Sequence, residues 1–395
     1  MKKALAMILV CVLAFMGLSN ISYAGISVFD GRKGDINNDG RLTIGDIRSI
    51  SRAVSDKSRN GKKSDYLYDM NSDGVITAAD TRSALRVYKE IDYHPDDIRN
   101  AELKIKDIVD GVSDKELSRL IKTLCKYGSR SIFYPESHIA AQNFIKKELK
   151  SYGYNISTQP FSYASCDTEN IVTTLNKKDK HKDILLLSTH YDCWDGAHGA
   201  IDNASGVATL LYVAKVLKES NLTFNKEIRF AFFSAEELGY HGAYHYISLL
   251  SSKEKSNITV FNVDMTGPSA LGGGRFLTVS TEPVSGSYTW RAAQTNEVSL
   301  AIHKAHRITG GAGEKKFYDH VSAGRHDIVP FRENNIPAVT LSWRGIREEA
   351  AYGSDYNLAP PSQIHTSLDT IDNFDFEAFY KTTALVLATV VLEYT

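Results

Sequence analysis

The stretch that most constrains this chain runs from Ile184 to Gly206, ILLLSTHYDCWDGAHGAIDNASG. Ile184 to Leu187 is an apolar run of the length of a buried strand. It turns polar at once with His190 and Asp192 and, past Gly196 and Gly199, reaches Asp202. Asn203-Ala204-Ser205-Gly206 then leads into Val207 to Leu217, whose apolar spacing predicts a helix. Three residues of metal-binding type therefore stand where a strand ends and a helix begins. In open α/β sheets that edge is where ligands bind.

Two later segments repeat the layout. Ile228 to Ser234 predicts a strand ending in Ala235-Glu236-Glu237, and Ile258 to Val263 a strand ending in Asp264-Met265-Thr266-Gly267. Neighbouring side chains on extended chain point different ways, so one of Glu236 and Glu237 can bind a metal while the other handles protons. A fourth piece, Ile364-His365-Thr366-Ser367-Leu368-Asp369-Thr370, comes late. Taken singly, each has a plain reading, a solvated acidic turn before a helix or a surface histidine. Together, three parallel strands would set His190, Glu237 and Asp264 on one sheet edge, with Asp202 on the intervening loop. Imidazole and carboxylate suit zinc. Two metals that share a carboxylate and take two further ligands each need five donors, and His190, Asp202, Glu237, Asp264 and His365 meet that count.

On the motifs HYD (His190 to Asp192), DNASG (Asp202 to Gly206), AEE (Ala235 to Glu237), VDM (Val263 to Met265) and HTSLDT (His365 to Thr370), the chain resembles the di-zinc aminopeptidase family related to aminopeptidase Y, over about Ile108 to Thr395. The resemblance implies two zinc ions. Asp202 would bridge them, His190 and Asp264 would bind one, and Glu237 and His365 the other. It implies Asp192 as the carboxylate that orients His190, and Glu236 as the general base. The segment Ser322 to Phe331, SAGRHDIVPF, resembles the family's Ser-Asp-His stretch near the substrate pocket, with Arg325 in the place of the Asp. His326 is thereby a candidate substrate contact. The expected fold is α/β, a mixed, mostly parallel central sheet flanked by helices. The expected reaction is removal of N-terminal residues from peptides or proteins. Carboxypeptidase relatives, glutaminyl cyclases of the same fold, and a metal-free binding module on that fold remain alternatives. Asn203-Ala204-Ser205 also matches a glycosylation sequon, a coincidence of its place beside Asp202.

Ahead of this region lies a repeat. Residues 35 to 54 and 69 to 88 each open with a twelve-residue loop, DINNDGRLTIGD and DMNSDGVITAAD. Hard oxygen donors around a glycine-permitted turn are what calcium needs. The first loop offers Asp35, Asn37, Asp39, the Arg41 carbonyl and Asp46. The second offers Asp69, Asn71, Asp73, the Val75 carbonyl and Asp80. Each loop is followed by one helix, spaced in the first copy at Ile44, Ile47, Ile50 and Val54. This duplicated half-EF-hand, preceding the larger region as a small α-helical unit, resembles the dockerin domain over residues 34–89. The resemblance implies two calcium ions and a cohesin partner on a cellulosome-type scaffold, touched by Arg48, Arg52, Arg82 and Arg86.

Lys2 and Lys3, the apolar run Ala4 to Leu18 and Ser22-Tyr23-Ala24 have the layout of a secretory signal peptide cleaved after Ala24. The expected location is extracellular, on a scaffold or cell surface, with no membrane span after cleavage. A net charge of −1 gives no reason to expect nucleic acid. Three cysteines remain after the leader, with Cys125 and Cys166 either bridged or free and Cys193 a half-buried thiol. Residues 90–107 read as a linker, and 108–395 as the peptidase domain. That domain opens on helical spacing at Leu117, Leu120, Ile121 and Leu124. An amphipathic helix follows, His138 to Tyr152, with Ile139, Phe144, Ile145 and Leu149 on one face. Next come strands at Asn155 to Phe161 and Asn170 to Leu175. His138 and His181 read as surface residues.

Overall fold

The computed structural model describes residues 108–176, 183–271, 276–281, 297–309, 316–321, 326–346, 358–359 and 363–394, with 36, 44–55, 76–78, 81, 84 and 105 ahead of them. The expected leader 1–24 lies outside the described residues, as does the expected linker 90–107 apart from Ile105. So do the calcium-loop residues Asp35, Asn37, Asp39, Arg41, Asp69, Asn71, Asp73, Val75 and Asp80, and also Arg82, Arg86, His181 and Arg325. Of the repeat, helix α1 (Ile44–Ser55) is described. It buries Ile47, Ile50 and Val54 and exposes Arg48 and Arg52, as a 3.6-residue period requires. Asp46 lies within its backbone span, and the Asp46 side chain is outside the described set.

The larger region is built on one mixed sheet. Its strands are β1 (Ile156–Tyr163), β2 (Cys166–Thr174), β3 (Ile184–His190), β4 (Glu227–Phe233), β5 (Ile258–Val263), β6 (Phe276–Thr281), β7 (Lys316–Val321), β8 (Ala338–Ile346) and β9 (Leu358–Ala359). Among the described residues the order is β1-β2-β4-β3-β5-β8-β6-β7, with β9 on β8. β4, β3, β5 and β8 are mutually parallel, β1 runs antiparallel to β2 and β2 to β4, and β6 runs antiparallel to β8 and parallel to β7. The chain leaves β3 for β4 on one side, then crosses to β5 on the other. The crevice at the carboxyl end of β3 is thus a topological switch point.

Both faces of this sheet are covered, so its central strands are continuous apolar runs. Successive residues alternate between two cores. Leu185 and Leu187, Phe230 and Phe232, and Phe261 and Val263 join one core. Helices α2 (Asp114–Cys125), α3 (Pro135–Ser151), α4 (Ser205–Glu219), α7 (Glu297–Thr309) and α9 (Phe376–Tyr394) contribute to it. Leu186, Phe233 and Val260 join the other, against α5 (His241–Leu249) and α8 (Ile328–Glu333). The short α6 (Ser252–Asn257) precedes β5 and is capped by Ser251 with Glu254.

Several expectations are corrected here. His138 is buried, not on the surface. Its Nδ1 meets the Arg130 carbonyl at 2.7 Å and its Nε2 meets Thr168 Oγ1 at 2.7 Å. Its helix starts three residues earlier than predicted, with Pro135 in the first turn, where a missing N–H costs nothing. Ile139 is exposed, whereas Phe144, Ile145 and Leu149 are buried. The apolar stripe is one residue narrower than predicted. Cys125, Cys166 and Cys193 are all free, and Cys193 is fully buried rather than half-buried.

Candidate active site

The register that pairs Ser188 with Asn262 and His190 with Phe233 sets three strand ends side by side. His190 closes β3, Asp264 follows β5, and Glu236-Glu237 follow the turn after β4. His190 Nε2 lies 3.3 Å from Asp264 Oδ1 and 3.2 Å from Asp202 Oδ1. The other Asp202 oxygen lies 3.4 Å from His365 Nε2, which is 3.0 Å from Glu237 Oε2. Two groups of donors result, His190–Glu236–Asp264 and Asp202–Glu237–His365, each with its donor atoms within 4.8 Å of one another. Five of the six line one cavity, and His190 is buried behind it. Asp202, Glu236, Glu237, Asp264 and His365 line it, together with His326, Trp194 and Arg344.

The loop that presents Asp202 is stitched down by its neighbours. Asn203 Oδ1 accepts the N–H groups of Gly206 (2.9 Å) and Met265 (3.1 Å), and its amide donates to Thr189 Oγ1 at 3.0 Å. One side chain thereby ties the start of α4 to the ends of β3 and β5. A Cβ on Gly206 would stand 2.3 Å from Asn203 Oδ1 and 2.8 Å from the Val263 carbonyl, so the motif needs glycine there. The buried Asn203 amide is occupied in this way, which fits the reading of its sequon as coincidental.

Carboxylates hold the rest. Asp192 Oδ1 accepts the Glu236 N–H at 3.2 Å and Oδ2 the Glu237 N–H at 3.3 Å, while Oδ1 faces His190 Nδ1 at 3.5 Å. Asp369 accepts the Ile201 and Asp202 N–H groups at 2.6 and 3.2 Å. Its place four residues past His365 hints at a motif, but nothing local in the sequence points to that partner. The same is true of Arg130. It is fully buried, and its guanidinium donates to the carbonyls of Tyr191, His198 and Gly199, clamping the loop between His190 and Asp202. His326 is buried, with Nδ1 2.6 Å from Asp264 Oδ2. Arg344 and the buried Asp327 were not anticipated from the sequence either.

The backbone is strained where donors are presented. Ala235, Met265 and His365 have φ of 56°, 54° and 59°. Such conformations cost about 1–3 kcal/mol each in non-glycine residues and persist where the surroundings over-determine them.

Burial disfavours every charge here, and the groups answer by opposing shifts. Burial pulls the His190 cation down, but Glu236, Asp264, Asp192 and Asp202 outweigh it and hold the ring well above its ordinary value. Burial, with Glu237, Asp327 and Asp264, raises Glu236 well above the usual range against the pull of His190. Glu237 is pushed up to about 7 by burial and Asp202. Asp264 is held far below the usual range because His190 and His326 overcome its burial. Four carboxylates against two imidazoles is a donor set in want of positive charge. His190 Nδ1 and Glu237 Oε1 lack hydrogen-bond partners. Buried carboxylate and imidazole donors in two facing groups fit divalent zinc.

Comparison with known proteins gives two domain matches. Peptidase family M28 matches residues 170–390, and the dockerin type I domain matches residues 33–86. Aminopeptidase YwaD of Bacillus subtilis (strain 168) is 32% identical over 234 residues, covering 58% of this chain and 45% of YwaD. The chain spans about half the length of the curated relatives it matches. The LapA aminopeptidase of Legionella pneumophila superposes with a TM-score of 0.55 at 21% identity, covering 77% of this chain and 75% of LapA. A glutaminyl cyclase of Macrostomum lignano gives 0.58 at 18% identity, covering 72% and 91%. These two structures share the fold.

Proposed function

The chain belongs to peptidase family M28, and on that premise we propose that residues 108–395 form a zinc-dependent aminopeptidase that removes N-terminal residues from peptides or proteins. We further propose that the enzyme is secreted through the 1–24 leader and joined by the 90–107 linker to the dockerin over 34–89. That dockerin would hold two calcium ions and dock on a cohesin through Arg48, Arg52, Arg82 and Arg86. The observation that carries the enzymatic reading is the position of Asp202. Its two oxygens face His190 on one side and His365 on the other, 3.2 and 3.4 Å away, so one carboxylate joins the two donor groups.

In this reading His190 and Asp264 would hold one zinc, Glu237 and His365 the other, and Asp202 would serve both. Bound zinc supplies Lewis acidity, lowering the pKa of water and polarising the scissile carbonyl. The remaining work falls to the chain's own groups. Glu236, whose carboxyl is raised by burial and by its acidic neighbours, is suited to take a proton from the attacking water and return it to the leaving amine. Asp192 orients His190 and, through the N–H groups of Glu236 and Glu237, the turn that carries the base. The substrate's free α-amino group rests against the acidic side of the cavity, which restricts cleavage to N-termini. Arg130, Asn203 and Asp369 keep the intervening loop in place.

The test is hydrolysis of unblocked aminoacyl anilides against their N-acetylated forms, before and after chelation, with zinc counted per chain. Chelator-sensitive cleavage of the unblocked series alone, at two zinc per chain, is the expected result. Cleavage of the acetylated series, or of neither by a protein holding two zincs, sinks the reading.

A further inference from the structure

The cavity that carries Asp202, Glu236, Glu237 and Asp264 is also lined by Arg344, the only residue among its described lining that is always cationic. Its volume is about 410 Å³, room for an amino-acid side chain beside the reacting centre. Arg344 stands on β8 and is 4% exposed. The residue before it, Trp343, donates its backbone N–H to the Met265 carbonyl at 3.1 Å. The arginine is therefore mounted on the sheet next to the chain that follows Asp264.

Its guanidinium is also held at the tip. Arg344 Nη2 donates to His326 Nε2. Arginine has no acceptor, so His326 Nε2 must accept and His326 Nδ1 must carry the proton, which it donates to Asp264 Oδ2 at 2.6 Å. A planar fork of donors is thus fixed at the cavity, one residue away from the carboxylate cluster. A fork held in this way matches a carboxylate bidentately and repels a cation.

We propose that Arg344 makes this cavity selective for peptides whose first residue carries a side-chain carboxylate, aspartate or glutamate. The inference rests on the aminopeptidase reading above. With the α-amino group against the acidic residues, the first side chain is the part of the substrate that enters the rest of the cavity. A glutamate then meets Arg344, a glutamine of the same shape meets it without the charge, and a lysine meets a like charge.

The experiment uses the zinc-loaded full chain and measures kcat/KM on the p-nitroanilides of Glu, Asp, Gln, Leu and Lys. The Glu-to-Gln ratio is expected to be at least about tenfold, with Lys slowest, because a charge-assisted pair is about twice as strong as its neutral counterpart. Arg344→Met should bring that ratio to near one, and Arg344→Lys should restore part of it. A wild-type ratio near one overturns the proposal without recourse to any variant. So does a ratio that survives Arg344→Met while all rates fall together, since the arginine would then only prop His326. A third arm compares Leu-Gly with Leu-Gly-amide. An Arg344-dependent preference for the free dipeptide would assign the arginine to the substrate's C-terminal carboxylate and overturn the proposal. Hydrolysis of every unblocked anilide without charge preference defeats this inference alone. Hydrolysis of none defeats the aminopeptidase reading and this inference with it.

Discussion

His190 and Asp264 stand at the ends of hydrogen-bonded parallel strands, and the register of the sheet alone brings them level. Asp202 and His365 stand on loops, and the His365 side chain is 39% exposed. The first pair is buried on all sides. The second is held by specific devices. Asp369 takes up the N–H groups of Ile201 and Asp202, and Trp194 stacks on the His365 ring at 4.4 Å and 11°. One half of the site is therefore rigid because the fold is rigid. The other is rigid only as far as its local ties hold. Ligand loss, metal exchange and substrate entry are accordingly expected on the His365 side.

The sharpest way to break this contrast is to delete one histidine from each half. His190→Ala removes the imidazole from a buried acidic cluster, and breaking such a cluster costs about 3–5 kcal/mol. Loss of zinc, of turnover by about a thousandfold or more and of thermal stability should coincide. His365→Ala should cost activity comparably but lower the melting temperature of the metal-free protein by less than His190→Ala does, its ring being part-exposed. Equal destabilisation by the two changes would erase the distinction.

Asp369→Asn tests the loop ties. Asparagine keeps one acceptor for two N–H groups, so on the proposed two-zinc reading affinity on the Glu237–His365 side should fall about 10–100-fold, while a zinc on the His190 side stays bound. A competitive metal titration reads both steps.

A pH series under chelation compares the halves by charge. Burial and Asp202 raise Glu237 from 4.5 to about 7. The native form thus binds more protons across that window, and stability from this group falls as pH rises through it. Burial lowers His365, but Asp202 and Glu237 outweigh it and raise the ring from 6.5 to about 10. Its contribution is complete below 6.5 and is lost as pH climbs towards 10. Both act in one sense, so the chelated protein should melt progressively lower from pH 5 to 9. The zinc-loaded protein should not, since its ligands need no protons. A flat profile for the chelated form would contradict the assigned environment. The smallest effect is expected from Trp194→Ala. Losing an aromatic contact worth about 0.5–1.5 kcal/mol should raise KM a few-fold with little change in melting temperature.

The same contrast explains what could be read in advance. Strands β3, β4 and β5 are apolar runs that stop at His190, Glu236-Glu237 and Asp264, and a run that stops marks a sheet edge whatever its partners are. DNASG was legible as a motif, but the reason for its asparagine and glycine appears only where Thr189, Val263 and Met265 converge on them. His138 was misread because a lone histidine on a helix carries no sign of the Arg130 carbonyl and Thr168 hydroxyl that receive it. Arg344 was invisible for the same reason, since nothing local in the sequence shows that His326, just ahead of α8, receives it.

By itself the sequence determined the α/β class, the strand ends, the acidic and imidazole donors and the duplicated loop of the dockerin. Each of these is written in contiguous residues, through periodicity, spacing or composition. Only the tertiary structure decided which donors face each other and that Glu236 and Glu237 serve different groups. It also decided that Asp369 and Arg130 carry the loop, and that a fixed guanidinium shares the cavity with four carboxylates. Those relations join segments distant along the chain, and such partners meet only when the sheet register and the helix packing have closed.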